Sequence, residues 1–331
     1  MKKIYICCTY YHLLISICKV FITKEKADLL ICTSWNDCKL LNDEKIISKL
    51  KDKNIFENIL IYDYGIEKLE KIKHSKFKNF RKFLFVKEMK KNFPIDFSSY
   101  SEISLFSEMT PIGRYLNENK MYYSLLEDGT DCFKYNKTYI KRSKSLMHFI
   151  KSSILGYKDL GESKYIKYIE VNDKNGIFID NKNVIEFKKN NMFSLLSRDE
   201  KNDICEIFLN DIDFKYMNNS VLIITQPLYE DGLVEKLEDQ VEIYKEIIQK
   251  YSDGCCVIIK KHPRDNIEYK KYFDNCIIDD GCYPIEIINL FDINIEKAVT
   301  ISSTSINLLS NIKEKIYLGW EWLDEYKKRK Q

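Results

Sequence analysis

Glycine and proline are scarce in this chain, which has ten glycines and five prolines among 331 residues. Because 45% of the residues are hydrophobic, the composition excludes a disordered chain and indicates a globular protein. This length is sufficient for two domains of ordinary size. A run of 18 apolar residues is also missing, so the sequence predicts no transmembrane helix.

A strong net charge is missing as well. The chain carries 53 basic and 50 acidic side chains, a net charge of +3, which gives no case for a nucleic-acid partner. Neither G-x-G-x-x-G after the first strand nor G-x-x-x-x-G-K-[ST] occurs anywhere. The sequence therefore disfavours the dinucleotide and P-loop chemistries that need those glycines.

Cysteine is plentiful by comparison, but its number and spacing disfavour the usual structural roles of many cysteines. The eleven cysteines are odd in number and none are spaced C-x-x-C, which disfavours both a disulfide framework and structural zinc. Several lie in apolar, strand-like runs, namely Cys7, Cys8, Cys255, Cys256 and Cys276. We expect buried, reduced thiols in a cytosolic protein.

The apolar runs alternate with helical patterns, which predicts an α/β fold with mostly parallel sheets. The first predicted strand, Ile4 to Cys8, leads into a helix for which Thr9 is the expected N-cap. A helix over 194–210 is predicted to connect two halves. This organisation gives an N-terminal domain over 1–190, a connector over 191–219 and a C-terminal domain over 220–331.

Residues 68–92 form a basic, amphipathic stretch. Its cations are Lys68, Lys71, Lys73, Lys76, Lys78, Arg81, Lys82, Lys87, Lys90 and Lys91. They are interleaved with Leu69, Ile72, Phe77, Phe80, Phe83, Leu84, Phe85 and Met89. The pattern favours one surface helix with its aromatic face in the core. It leaves open a helix that lies on an anionic membrane surface.

A cationic cluster follows the strand predicted for Cys255 to Ile259. It consists of Lys260, Lys261, His262, Pro263 and Arg264. In open α/β sheets the ligand crevice lies outside the carboxyl ends of the strands, and Pro263 favours an extended backbone at His262. The cluster suits an anion that gains charge during a reaction. The alternative is a basic loop around a solvated histidine.

Two further stretches carry chemical side chains at predicted strand ends. Glu127-Asp128-Gly129 offers a carboxylate that could act as general base on a sugar hydroxyl, or it is an ordinary Asp-Gly turn like that at Asp280. Ser302 to Ser305 offer hydroxyl and backbone N–H groups at the start of a helix predicted to continue through Asn311. That stretch predicts either a phosphate site or a plain helix cap.

The E-D-G, K-H-P and S-S/T motifs, in this order, resemble those of the bacterial sialyltransferases. The strand followed by T-Y-Y-H-L-L most resembles glycosyltransferase family 52, which includes lipooligosaccharide and capsule sialyltransferases. A few short motifs spread over most of the chain carry the resemblance. It implies the GT-B architecture, with two Rossmann-like domains facing a central cleft. It also implies inverting transfer of sialic acid from CMP-sialic acid to a terminal galactose-type sugar of a surface glycan.

The resemblance also implies roles for particular residues. Asp128 or Glu127 would be the base, and His262 would be the acid or would donate to the leaving phosphate. The implied donor and phosphate-binding residues are Lys261, Pro263, Arg264, Ser302, Ser303, Thr304, Gln226, Pro284 and Glu286. The implied acceptor side, in the N-terminal domain, comprises Thr9, Tyr10 and His12. Glu230 and Asp231, which follow the first strand of the second half, compete for the role of base.

The same resemblance implies a nucleotide-sugar donor and a glycan or glycolipid acceptor as partners, with no nucleic acid. No metal or cofactor is expected, because lysine, histidine and capping donors can carry the charge of a monophosphate leaving group. We expect a cytoplasmic protein. Peripheral membrane contact through 68–92 and a homodimer are both left open. The alternatives are another glycosyltransferase of the family, such as a glucosyl- or other CMP-sugar transferase, and a non-catalytic protein that binds membranes or polyanions.

Overall fold

The computed structural model describes residues 2–33, 40–73, 75–129, 132–133, 160–175, 177, 179, 183–209 and 214–330. The chain divides into two compact units, Met1–Ile207 and Phe208–Gln331. The division falls inside the connector predicted over 191–219.

The first unit is built on a seven-stranded sheet whose pairings are all parallel. Its strands are β1 (Lys3–Cys7), β2 (Asp28–Cys32), β3 (Ile59–Tyr62), β4 (Glu102–Leu105), β5 (Tyr123–Leu126), β6 (Ile166–Val171) and β7 (Val184–Glu186). They lie in the order β3-β2-β1-β4-β5-β6-β7. The helices that the structure describes here are α1 (Tyr10–Thr23), α2 (Glu44–Lys53), α3 (Ile66–Lys73), α4 (Lys78–Asn92), α5 (Pro111–Glu118) and α6 (Arg198–Phe208). The last residue of α6, Phe208, is the first residue of the second unit.

The second unit is built on a five-stranded parallel sheet in the order β10-β9-β8-β11-β12. Its strands are β8 (Ser220–Ile224), β9 (Cys256–Lys260), β10 (Cys276–Asp279), β11 (Ile295–Thr300) and β12 (Ile312–Tyr317). Its helices are α7 (Leu237–Tyr251) and α8 (Gly319–Lys330). The predicted α/β fold with parallel sheets is confirmed, and the chain has two Rossmann-like units.

Each sheet has its own apolar core. The interior strands β2 and β8 are buried at every position, as expected where both faces of a parallel sheet are covered. Burial at each position explains why the last four residues of each of these strands are apolar. Among the residues that the structure describes, no helix is both long enough and apolar enough to cross a membrane.

Three sequence predictions are corrected by the structure. The helix predicted from Ser302 through Asn311 is instead a five-residue 3-10 segment, Thr304–Leu308, followed by the edge strand β12. The single helix expected over 68–92 is two helices, α3 and α4, and residue 74 lies outside the described residues. Buried thiols are confirmed at Cys7 and Cys8, but Cys256, at the start of β9, is exposed and Cys255 and Cys276 are half-buried.

Candidate functional site

In the second unit, the strand order changes direction between β8 and β11. The chain runs outward from β8 through β9 and β10 on one side, and β11 and β12 lie on the other side. In such sheets ligands bind at the carboxyl ends of the strands, at this switch point. Gln226 follows β8 and Ser302 follows β11, and Oγ of Ser302 lies 3.5 Å from Oε1 of Gln226. The fold therefore brings together two of the predicted phosphate-binding residues.

His262 follows β9, beside the same switch point, and its backbone and ring are both held. Its N–H donates to Oγ1 of Thr225 at 2.9 Å, and its Nδ1 accepts the N–H of Arg264 at 3.0 Å. Because Nδ1 is the acceptor, the proton of the neutral imidazole belongs on Nε2. The ring is thus oriented as an N–H donor, which suits an anionic oxygen.

Asp265 holds Thr225, which binds the backbone of His262. The sequence did not indicate this role. The buried carboxylate of Asp265 accepts hydrogen bonds from Oγ1 of Thr225 at 3.1 Å, Nε2 of Gln240 at 3.0 Å and the hydroxyl of Tyr269 at 2.7 Å. Burial raises the pKa of Asp265. The only signal in the sequence was its position directly after Arg264. Asp265 fixes Thr225, which in turn fixes the backbone of His262.

The two competing carboxylates near His262 have structural partners. Asp231 forms a two-pronged ion pair with Arg264, with Nη1–Oδ1 at 2.6 Å and Nη2–Oδ2 at 3.1 Å. Oε1 of Glu230 accepts the N–H of Asn266 at 2.9 Å. Both contacts join the loop after β8 to the loop after β9. The geometry thus gives Glu230, Asp231 and Arg264 a role in holding the loop of His262.

The two lysines of the K-K-H-P stretch differ in accessibility. The Lys260 ammonium is buried, where it contacts Oδ1 of Asp279 at 3.2 Å and lies 3.7 Å from the ring centre of Tyr283. Burial lowers the pKa of Lys260. Lys261 is half-buried, and its backbone N–H donates to the carbonyl of Asp279 at 2.8 Å. Of the two lysines, Lys261 is therefore the one that is accessible to a ligand. Pro263, beside His262, is also half-buried.

The remaining predicted donor residues lie in two short 3-10 segments. Ser303 precedes one of them; its N–H donates to Oγ1 of Thr300 at 3.1 Å and its hydroxyl lies 2.7 Å from that of Ser305. Thr304 begins that segment. Pro284 directly precedes the other segment, Ile285–Leu290, in which Glu286 is buried. The stretch from Ser302 to Ser305 can therefore bind a phosphate through its hydroxyl groups, but it does not begin a regular α-helix.

In the first unit, the strand order changes direction between β1 and β4, and His12 lies at that point. Thr9, after β1, is the N-cap of α1 as predicted, and it accepts the N–H of His12 at 3.2 Å. The His12 ring stacks on Phe106, which follows β4, with ring centres 4.2 Å apart. Its Nδ1 accepts the N–H of Cys8 at 3.2 Å, and its Nε2 lies 3.1 Å from Oδ1 of Asp128.

Asp128, which follows β5, is the accessible member of this pair. Its side chain is 49% exposed, whereas that of His12 is 4% exposed. The covered half of the side chain loses contact with water, which acts to raise the pKa of Asp128, but the attraction of the His12 imidazole and of Lys189 outweighs this effect, so the pKa lies below its ordinary value. Asp128 is accordingly a carboxylate that stays ionised at neutral pH.

Glu127 has a different environment from that of its neighbour. Its carboxylate is buried, and Oε2 accepts the N–H of Asn172 at 2.7 Å and lies 3.9 Å from Nζ of Lys189. Lys189, which no motif indicated, donates to the carbonyls of Glu127 and Gly129, each at 2.7 Å. Gly129 has φ +79°, a conformation that favours glycine. These contacts fix the turn that carries Asp128 and make Glu127 a supporting residue.

The predicted acceptor-side residues also support the site from inside the fold. Tyr10 is 6% exposed and its hydroxyl donates to Oδ2 of Asp43 at 3.0 Å, while His12 is 3% exposed. An accessible polar groove lies instead at the carboxyl ends of β6 and β7. It has a volume of about 510 Å³ and is lined by Asn172, Asp173, Asn175, Glu186, Lys188 and Asn191. The side-chain amides of Asn175 and Asn191 make no hydrogen bond to any described residue.

Comparison with protein families gives a match to one family model. The model for glycosyltransferase family 52 matches residues 103–318, which is more than half of the chain. An uncharacterized protein of Haemophilus influenzae (strain Rd) is 29% identical over 202 residues, 60% of this chain. That match covers 61% of the relative, less than two thirds of its length.

Solved structures of two other proteins match the chain to different extents. The UDP-GlcNAc 2-epimerase of Methanocaldococcus jannaschii, solved with UDP-GlcNAc and UDP, matches with a TM-score of 0.52 at 13% identity, covering 99% of this chain and 92% of that protein. The wall teichoic acid polymerase TagF matches with a TM-score of 0.46 at 11% identity, covering 93% of this chain and 66% of that protein. The fold is accordingly that of the GT-B proteins.

Proposed function

Because the chain belongs to glycosyltransferase family 52, we propose that it transfers a sugar from a nucleotide donor to a hydroxyl group of a glycan. The donor that we propose is CMP-sialic acid, and the acceptor is a terminal galactose-type sugar of a surface glycan such as lipooligosaccharide or capsule. The ten described cysteines are all free thiols, which supports a reducing compartment such as the cytoplasm.

The observation that carries this proposal is the donor set at the switch point of the second unit. Gln226, His262 and Ser302 follow β8, β9 and β11, three neighbouring strands of one parallel sheet. Their amide, imidazole N–H and hydroxyl groups, with the half-buried Lys261 beside them, can bind the single phosphate of a CMP donor. Such fixed donors stabilise the charge that a phosphate gains as it leaves.

In the proposed reaction, a hydroxyl oxygen of the acceptor attacks the anomeric carbon of sialic acid. The bond from that carbon to the phosphate oxygen breaks, and CMP leaves with the electron pair. Asp128 takes the proton of the attacking hydroxyl. A single displacement of this kind inverts the anomeric configuration.

We propose that the acceptor glycan is held by the polar groove at the ends of β6 and β7. Amide and carboxylate side chains such as those of Asn175, Asn191 and Glu186 can exchange hydrogen bonds with sugar hydroxyls. The groove and Asp128 both lie at the carboxyl ends of the strands of this sheet, and β5 and β6 are neighbouring parallel strands. Asn172 connects the groove to the turn that carries Asp128, because it lines the groove and its N–H donates to the carboxylate of Glu127.

The test is a titration with CMP followed by an assay of CMP release. We expect specific CMP binding, and CMP release from CMP-sialic acid that depends on an added galactoside. A parallel assay replaces CMP-sialic acid with UDP-GlcNAc, the ligand bound in the structurally similar epimerase. CMP-independent turnover of UDP-GlcNAc would refute the sialic acid donor, and absence of turnover with any nucleotide sugar would refute glycosyl transfer.

A further inference from the structure

Helix α4 has a second apolar face that points away from the core. Phe85, Val86 and Met89 are buried against the first unit. Phe77, directly before the helix, is 73% exposed, Phe80 is 52% exposed and Leu84 is 47% exposed. Their spacing of three and four residues places these three on one line along the surface. We call Phe77, Phe80 and Leu84 the outer stripe.

Positive charge accompanies the outer stripe on both sides. At 100° per residue, exposed Arg81 lies on one side of the stripe and exposed Lys87 on the other. From residue 76 to residue 92 the sequence contains seven basic residues and one acidic residue, Glu88. Glu88 is neutralised by Lys68 of α3, whose Nζ lies 2.7 and 2.8 Å from its two carboxylate oxygens.

We propose that the outer stripe binds the surface of an anionic lipid membrane. A helix that lies in the membrane interface places aromatic and leucine side chains at the boundary of the acyl chains and directs its cations to the headgroups. Lysine and arginine beside an anionic leaflet attract it at short range. The stripe and its flanking cations match both requirements on one exposed helix face.

Two other occupants fit the stripe less well. A second copy of this chain, packed face to face, would bring Arg81 and Lys87 of one copy against those of the other, and like charges repel. A nucleic acid would satisfy the cations but would leave the Leu84 side chain in water. An anionic membrane satisfies the charges and the apolar side chains together.

The experiment measures binding of the full chain to vesicles of phosphatidylglycerol and phosphatidylcholine, and to vesicles of phosphatidylcholine alone. We expect binding to the anionic vesicles, weakened by added salt. Arg81→Gln with Lys87→Gln should weaken it about 25-fold, since each cation contributes roughly a five-fold factor. Phe77→Ser with Phe80→Ser and Leu84→Ser should weaken it at least about ten-fold, because these apolar side chains no longer leave water.

Matched substitutions elsewhere serve as controls. Lys26→Gln with Lys328→Gln removes two exposed cations, and Tyr122→Ser removes an exposed aromatic side chain; both variants should bind anionic vesicles as the unaltered chain does. All of these side chains are at the surface, so unchanged thermal unfolding identifies folded variants.

Several results would overturn the proposal. Equal binding to both kinds of vesicle, or unweakened binding by the stripe variant, would show that the stripe does not contact lipid. A dimer in sedimentation velocity that the stripe variant dissociates would assign the stripe to a second copy. Tighter binding to poly(A) than to anionic vesicles would assign the cations to a nucleic acid.

Discussion

His12 Nε2 lies 3.1 Å from Oδ1 of Asp128, which joins a buried imidazole to an exposed carboxylate. The imidazole is fixed on its far side by the Cys8 N–H and on its face by Phe106. The carboxylate therefore lies against a ring that has little freedom to move. The same contact, together with Lys189, lowers the pKa of Asp128.

Replacing His12 should change the pH dependence of the carboxylate. The folded pKa of Asp128 is depressed, so the carboxylate loses its negative charge only at pH values below the ordinary range of an aspartate. In His12→Gln the attraction of the imidazole is gone, and we expect the pKa of Asp128 to rise. Titration of the Asp128 carboxyl carbon by NMR checks this prediction, with Asp128→Asn identifying the signal. An unchanged or lower pKa in His12→Gln would contradict it.

Lys189 should contribute strongly to stability. In Lys189→Met the buried carboxylate of Glu127 loses its cation, and the carbonyls of Glu127 and Gly129 lose a donor. We expect the free energy of unfolding to fall by about 3 kcal/mol, the scale seen when one partner of a buried ion pair is removed. Urea unfolding measures the change. Glu127→Gln added to Lys189→Met should restore part of the loss, and a loss below about 1 kcal/mol would show that the pair is dispensable.

The sequence predicted those features that depend on neighbouring residues. Thr9 caps α1, Asp128 follows β5 and His262 follows β9, because strand ends and helix starts have local signals. Lys189 and Asp265 could not be predicted, since their partners Gly129 and Thr225 are distant in the chain and meet them only through packing. The strand β12 was missed because an edge strand with exposed Lys313, Glu314 and Lys315 does not show an apolar run.

His262→Ala should lower turnover by about 10²-fold or more, which is the usual scale when acid–base or donor assistance is lost. The ring that the Arg264 N–H orients would be missing at the time when the leaving phosphate gains charge. CMP affinity should weaken less, because Gln226 and Ser302 remain. Steady-state turnover and CMP titration measure the two effects. Turnover near that of the unaltered chain, in a folded variant, would remove His262 from the reaction.

Turnover should survive EDTA. The proposed leaving group carries one phosphate, and the half-buried Lys261, the His262 imidazole and the Ser302 hydroxyl are groups that can carry its charge without a metal. The assay compares CMP release before and after chelation, with dialysed enzyme as control. Activity that disappears with EDTA and returns with Mg²⁺ or Mn²⁺ would contradict this prediction and would favour a diphosphate donor.

The choice of base lies between Asp128 and Asp231. Asp128 is half-exposed beside His12 and stays ionised, whereas Asp231 is held by Arg264 through both carboxylate oxygens. A true base acts only in transfer, so Asp128→Asn should reduce turnover by about 10²-fold or more and leave CMP affinity nearly unchanged. Asp231→Asn keeps one acceptor for Arg264, so we expect a smaller loss of turnover together with weaker CMP binding, because the loop of His262 loosens. Measuring turnover and CMP affinity for both variants decides between them. If Asp231→Asn is inactive while Asp128→Asn retains turnover, the base belongs to the second unit, and the pair of His12 and Asp128 is structural.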